Sequence, residues 1–499
     1  TSTAGTFTLS QGGTLGSSGI LDVSGTTLKL SDNLSAGSGT LTSNNTSVLH
    51  LLDNVTLTFN GEKTFKALEH NGNTLSLGST TSDLKLIDAL TLNAGTLHTQ
   101  GADLNLQGAL TLQNNSLIDS TGGTLTLGGT VDNSSELTVP GTALALRSDF
   151  AITGTLSTGT GTSISRNNNE LDLSGGLLKL GGNLNLAGTV TDNDTRLILQ
   201  ANATLGNSAS TGIGSLDLNG SALTISMAMT INDPLTIDAS GEKIVTGGAD
   251  LSLNGGISAT SGTLSSTGGT LGLPSGATLA SGALFSTSNT TLNLGGSLAV
   301  AGTWSGSNTT SISLTTDNAS LSSTVELSLA SLQTNGHDFE LDSVTTDLTI
   351  QNAFALSGSE TLSTHGADLI FESSADISTE STLDAGDGGK FEFKQGGTAN
   401  GTINAESAVF KIGAAYAVPG TLKTNSSTTW DLGTSNLNLS GGRLYLGGNV
   451  VLDKVLTDNQ TKFRLNGEDT TVTRNQGFTL GGLDLDNSTL TLGSATTDL

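Results

Sequence analysis

Apolar residues recur at alternate positions in short bursts along the chain, and each burst ends in Gly, Asn, Asp, Ser or Thr. Phe7 and Leu9, Leu21 and Val23, Leu28 and Leu30, then Val55, Leu57 and Phe59 show the pattern from the start. Alternation places such residues on one side of a short strand. Burst starts can be followed as a series: Leu84, Leu104, Leu125, Leu144, Ile164, Leu184 and Leu205, at steps of 19 to 21 residues. Ile225, Val245, Leu264, Leu284, Trp304 and Val325 continue it. Two further alternating segments fill each interval, such as Leu90 and Leu92, then Leu97, followed by Leu110 and Leu112, then Leu117. Three short strands in about 20 residues describe one coil of a parallel β-helix. The expected fold is therefore all-β, a right-handed triangular β-solenoid of roughly 25 coils. At a strand spacing of about 4.8 Å its length would be on the order of 120 Å.

Longer repeats support the same grammar. Leu171 to Leu199 (LDLSGGLLKLGGNLNLAGTVTDNDTRLIL) recurs without a gap at Leu437 to Leu465 (LNLSGGRLYLGGNVVLDKVLTDNQTKFRL), with 16 of 29 positions identical. What survives is the alternating apolar residues, an Asp-Asn turn and the pairs Gly175-Gly176, Gly181-Gly182, Gly441-Gly442 and Gly447-Gly448. Glycine tolerates positive φ, so these pairs are expected at sharp corners. A second motif, Thr-x-Gly-Ala-Asp-Leu, appears at Thr99, Thr246 and Thr364 and places Asp103, Asp250 and Asp368 beside a corner. The element Thr-Ser-Asp-Leu at Thr81 returns as Thr-Thr-Asp-Leu at Thr345 and again at Thr496 to Leu499. The chain opens at Thr1 without Met and closes inside this motif. The expectation is one continuous solenoid over residues 1–499, a segment of a longer repetitive chain or a subunit that stacks end to end. Between Leu356 and Lys411 the chain is more acidic and aromatic (Glu372, Glu380, Asp384, Asp387, Phe391, Phe393), which suggests a loop or broader coil.

Composition then narrows the function classes. Hydrophobic residues are 34%, charged residues 12%, with 67 Gly and 4 Pro, a profile of patterned order rather than disorder. The net charge of −26, from 18 Lys plus Arg against 44 Asp plus Glu, argues against nucleic acid and anionic lipid as partners. Zero Cys removes disulfides and thiolate metal sites. No run of 18 apolar residues is present to span a membrane as a helix.

Candidate chemistry is sparse in the linear sequence. His50, His70, His98, His337 and His365 form no i, i+4 pair and no HExxH, so solvent-facing positions are expected. No Gly-Gly pair belongs to a GxxxxGK[ST] or GxGxxG phosphate motif. Asp484 and Asp486 could share a face as glycosidase carboxylates must, but alternation with Leu483 and Leu485 explains them as outward strand residues. No Arg or Lys cluster on a neighbouring coil is evident beside them. Asp103, Asp250 and Asp368 suit Asx capping of a corner. Calcium is a minor alternative, since the nonapeptide GGxGxDxUx of calcium-binding coils is absent. Trp430 stands where the repeat has Ile164, and Trp304 where it has Val190, so both read as core anchors beside Leu84, Leu104, Leu125, Leu144, Ile164 and Leu184. Tyr445 replaces Lys179 at an outward site and is the better candidate for a surface contact. Ice binding would need a Thr ladder, and the outward residues Lys85, Asn105, Thr126, Ala145 and Asn185 supply none.

The TLTLGG-type coils at Thr124 to Gly129, Leu178 to Gly182, Leu292 to Gly296 and Leu444 to Gly448 carry a family resemblance. The chain resembles the repetitive β-solenoid shafts of large bacterial surface proteins, filamentous-haemagglutinin-like adhesins and autotransporter passengers. That resemblance implies secretion, a cell-surface or extracellular location and a non-enzymatic role as stalk, adhesin or filament segment. No two-partner secretion signature and no Arg-Gly-Asp is present, so no export route or receptor follows. Expected partners are further copies or coils of the same chain, or a cell-surface glycan. The alternatives are a carbohydrate-binding module using an outer β face, or a polysaccharide-degrading β-helix enzyme. Either would gather acids, Arg and aromatics on two or three adjacent coils, whereas the linear sequence spreads them.

Overall fold

A computed structural model describes residues 5–166, 169–186, 190–191, 194–207, 211–317, 319–386, 388–452, 456–474, 477 and 479–493. The Asp192-Asn193 turn, Asp387 and the terminal Thr496 to Leu499 motif lie outside the described residues. Among the described residues there are 69 strands and one three-residue 3-10 helix, Ser307–Thr309. Among the described residues the pairings are parallel and join strands one turn apart, in eleven sheets, so the chain is a β-solenoid of about 23 turns. Contacts gather into two compact units, Thr1–Leu235 with Ser240–Leu251, and Thr236–Ala239 with Ser252–Leu499.

In the first unit the anchor column is continuous in register: Leu84 faces Leu104, Leu104 faces Leu125, Leu125 faces Leu144, and Leu144 faces Ile164. All five, with Leu184, are buried. A second column belongs to an 11-stranded sheet from Gly13–Thr14 to Ser215–Asp217. There Leu137, Leu156, Leu178 and Leu197 stack turn upon turn. Each buried Leu contributes roughly 1.5–3 kcal/mol relative to exposure.

At some turns the register differs from the alternation count by one residue. Leu117, Val245 and Leu284 face outward, and their neighbours Ile118, Ile244 and Phe285 take the core positions. Val325 is 51% exposed at a corner. Where three consecutive residues are apolar or nearly so, alternation alone has two solutions, and a one-residue slip exchanges faces.

Corners are held by two recurring polar devices. A buried hydroxyl donates to a carbonyl of the preceding turn: Thr195 Oγ1 to the Leu173 oxygen and, in the repeat copy, Thr461 Oγ1 to the Leu439 oxygen, both at 2.7 Å. An outward Asx side chain accepts from a backbone N–H of the following turn. Asp83 Oδ1 takes the Asp103 N–H at 2.9 Å, Asp103 Oδ1 takes the Thr124 N–H at 2.6 Å, and Asp347 Oδ1 takes the Asp368 N–H at 2.9 Å. The repeated Asp103 thus caps the next coil rather than its own corner. Its N–H partners are donors that the ladder would otherwise leave unpaired.

The glycine pairs divide by role. Gly175 and Gly441 have φ of 72° and 79°, as corners require. Gly176 and Gly442 instead lie where a Cβ would stand 2.4 Å from a carbonyl oxygen of the preceding turn (Ile152 and Val418). Gly181, Gly182 and Gly447 are likewise pressed against the backbone of the turn before. The second pair differs between copies. Gly182 follows a strand that ends at Gly181, whereas Gly448 (φ 70°) is a bulge inside one nine-residue strand, Arg443–Val451. Close approach, more than positive φ, explains these glycines.

Among the described residues no loop or broader coil interrupts Leu356 to Lys411. Strands Asp368–Phe371, Lys390–Phe393 and Val409–Ile412 pair in full register, and Phe371, Phe391, Phe393 and Phe410 are buried. The coil keeps its period and fills its core with rings in place of Leu.

Candidate functional site

The second unit carries two charged outward faces on the turns between residues 338 and 486. The first covers the aromatic core. Strand register aligns Ile370, Glu392, Lys411 and Asp431 in one outward row and Asp368 with Lys390 in the other. Lys390 bridges Asp368 at 3.1 Å and Glu392 at 3.5 Å, and Lys411 bridges Glu392 at 3.1 Å and Asp431 at 3.9 Å. Lys394 meets Glu372 at 2.6 Å beside them. Burial pushes the Glu392 carboxyl up, but the hydrogen bond and charge of Lys411, with Lys390 and Lys394, outweigh it and hold it below its ordinary value. Burial likewise pulls Lys390 down, while Asp368 and Glu392 leave it raised overall. This face neutralises itself.

The second face does not. On the strands Thr421–Lys423, Arg443–Val451 and Thr461–Thr473, Lys423, Tyr445 and Arg464 follow one another in register, and Arg443 and Lys462 stand beside them. Strand alternation directs all five outward, because Leu422, Leu444 and Phe463 between them are buried. The Lys423 Nζ lies 6.0 Å and the Arg464 Cζ 5.6 Å from the centroid of the Tyr445 ring, one cation from each adjoining turn. Arg464 also reaches Asp486 at 3.3 Å and Asp484 at 3.7 Å, and hydrogen bonding to Asp486 raises its guanidinium. Lys423, Arg443 and Lys462 form no ion pair with a described residue. In a chain of net charge −26, four cations round one half-buried tyrosine form a local reversal of sign.

Four successive turns therefore gather the Arg, Lys, aromatic and acidic residues that the linear sequence separates by up to 63 positions. Asp484 and Asp486 do share a surface, and it is Arg464 on the neighbouring turn that holds both; Leu483 and Leu485 are each 43% exposed. The same face continues toward the N-terminal turns with four aligned threonines, Thr361, Thr382, Thr402 and Thr421. The count on Lys85, Asn105 and their successors concerned a different sheet. A list of residue spacings at 19 to 22 across all three strands would have found both rows.

The remaining sequence candidates fall into place individually. Trp304 is buried, its ring tilted 44° to that of Phe285 at a centroid distance of 4.9 Å, and its Nε1 donates to Thr287 Oγ1 at 2.8 Å. Trp430 aligns with Phe410 in the core column but is half-buried, with its ring edge-on at 5.8 Å. His70 is buried, contrary to a solvent-facing position, and its ring lies 2.9 Å from the Thr91 carbonyl oxygen. His98 and His337 each meet a carboxylate one turn away, Asp119 at 3.1 Å and Asp317 at 3.0 Å, and His50 meets Glu69 likewise. Asp368 pairs with Lys390, and the Asp250 carbonyl accepts from the Met229 N–H. Among the described residues no group of three or more His, Asp and Glu could hold a metal ion, and no helix is long and apolar enough to cross a membrane.

Comparison with family models, with curated proteins and with solved structures returns no match for this chain.

Proposed function

We propose that the chain is a non-enzymatic structural and adhesive element, a stiff β-solenoid shaft that sets distance at a cell surface or in an extracellular fibre and makes contacts through its outward faces. One observation carries this reading. Among the described residues of each unit, strands one turn apart pair in parallel over stacked apolar side chains, which is how a solenoid converts sequence length into axial length. Bending such a stack must open ladder hydrogen bonds and separate core side chains together, so stiffness follows from the same contacts as stability. Where outward Asx caps occur, as at Asp83, Asp103 and Asp347, they bond one turn to the next at its rim and oppose tilting.

The reading is tested by electron microscopy of the purified chain. Straight particles with an axial repeat of about 4.8 Å and no hinge are expected. Particles folded back on themselves at a flexible joint would defeat a shaft function.

A further inference from the structure

The two outward rows that carry the cations also carry the acids that match them. Three turns before Asn404 stands Glu340, and three turns after it stands Arg464. One turn before Asn404 stands Asp384, and one turn after it Lys423. In the neighbouring row Asp338, two residues before Glu340, and Lys462 occupy the turns of Glu340 and Arg464. From residue 244 to 389 the chain has no Lys or Arg at all, so the acidic half of the face is unmixed. Asp338, Glu340 and Asp384 form no ion pair with a described residue, and their recorded partners are neutral, such as the Thr361 N–H on Asp338 and the Asn404 amide on Asp384.

We infer that this face is an antiparallel self-association surface, on which a second copy of the chain docks about a twofold axis through the Asn404 turn. Such an axis lies in the plane of contact and across the turns. It keeps each row opposite itself while reversing the turn order. Asp384 of one copy then meets Lys423 of the other, Glu340 meets Arg464, and Asp338 meets Lys462. Ser363 falls opposite Tyr445, and Asn404 opposite its own equivalent. An isologous contact repeats each pair, so six opposite-charge pairs form. A parallel arrangement would instead set each cationic turn against the same cationic turn of the partner, and like charges in opposition are destabilising. The surface is therefore selective for direction. It is a lateral contact, distinct from end-to-end stacking, and it rests on the reading of the chain as a structural shaft.

A second copy suits the face better than an acidic glycan. Sugar binding to an aromatic platform needs a free ring face, and here Lys423 and Arg464 approach the Tyr445 ring from the turns on either side. The complementary charges, by contrast, are already spaced on the same period of about 4.8 Å per turn.

Sedimentation velocity on the full chain tests this at about 0.15 M salt, where a Debye length of about 8 Å screens the net charge of each copy but not contact pairs. A monomer–dimer equilibrium is expected, and 1 M salt should shift it toward monomer. Glu340→Lys alone, an exposed substitution, should weaken it at least about tenfold. The decisive arm mixes two variants. One carries Lys423→Glu, Lys462→Glu and Arg464→Glu; the other carries Asp338→Lys, Glu340→Lys and Asp384→Lys. Each alone should be monomeric and still folded by circular dichroism, although the first loses the Arg464 bridges to Asp484 and Asp486, and the equimolar mixture should dimerise. A monomeric wild type, a dimer indifferent to Glu340→Lys, or a mixture that stays monomeric overturns the proposal. So does a wild type that stays monomeric and instead binds a polyuronate. In none of those cases does the microscopy test of stiffness change its meaning.

Discussion

Two faces of the same unit use the same charged residue types to opposite ends. On the face over Phe371, Phe393 and Phe410, Lys390 and Lys411 each lie between two carboxylates and Lys394 meets one, and Glu392 sits under two lysines with its side chain only 11% exposed. On the face over Leu422, Leu444 and Phe463, only Arg464 finds acids on a neighbouring turn, while Asp338, Glu340 and Asp384 stand turns away from Lys423, Arg443 and Lys462. Strand, register and period are alike. The difference is where along the axis the complementary charge stands. Alternation on neighbouring turns satisfies charge within the molecule; segregation over several turns leaves it for another molecule.

The comparison can be broken first at the core beneath the paired face. Phe393 contacts Phe371, Phe410 and Tyr416 at centroid distances of 5.2, 5.8 and 4.4 Å. Phe393→Ala should cost about 3–5 kcal/mol, because that interior cannot collapse without shifting three other rings. Chemical denaturation would read this as a lower midpoint, and a loss under 1 kcal/mol would show that the aromatic column does not set stability there. Next, Glu392→Gln leaves Lys390 and Lys411 without their shared anion and should cost about 1–2 kcal/mol. Glu340→Gln on the segregated face should change stability by less than about 0.5 kcal/mol. Equal losses from the two would erase the distinction between the faces.

Titration sharpens the same contrast. The folded-state carboxyl of Glu392 lies below its ordinary 4.5, so its stabilising contribution is present above that value and fades as pH falls through the lowered one. Lys390 is raised above its ordinary 10.5, so its contribution is present below 10.5 and fades as pH climbs through the raised value. Melting temperature should therefore drop at both extremes, and Glu392→Gln should flatten the acid limb. An acid limb unaltered by that substitution would assign acid sensitivity elsewhere. The smallest effect belongs to Tyr445→Ala, which removes two exposed cation–π contacts worth about 0.5–1 kcal/mol each at most. A larger loss would mean that the ring packs into the fold rather than over it.

Much of the architecture was readable from residue order. Anchors Leu84 to Ile164 stand at steps of 20, 21, 19 and 20, and the structure pairs them at those steps. Gly175 and Gly441 are at corners as the repeat implied. The slips at Val245 and Leu284 arose where an adjacent residue was equally able to fill the column. The regular coil through the aromatic stretch escaped notice because Phe-rich alternation resembled a change of composition. The cationic face escaped for a different reason: Lys423, Arg443, Lys462 and Arg464 are dispersed among apolar segments in the chain, and each looks like an isolated outward residue.

The sequence by itself determined the period, the parallel stacking and the inward columns, since these follow from the two-residue periodicity of a strand and the spacing of corner residues. Only the tertiary structure decided which outward residues become neighbours. A solenoid brings residues 19 to 22 apart within about 4.8 Å of each other along its axis, and a variation of one or two residues per turn moves a side chain to another row. Charge pairing, and with it the contrast between the two faces, is set by that register.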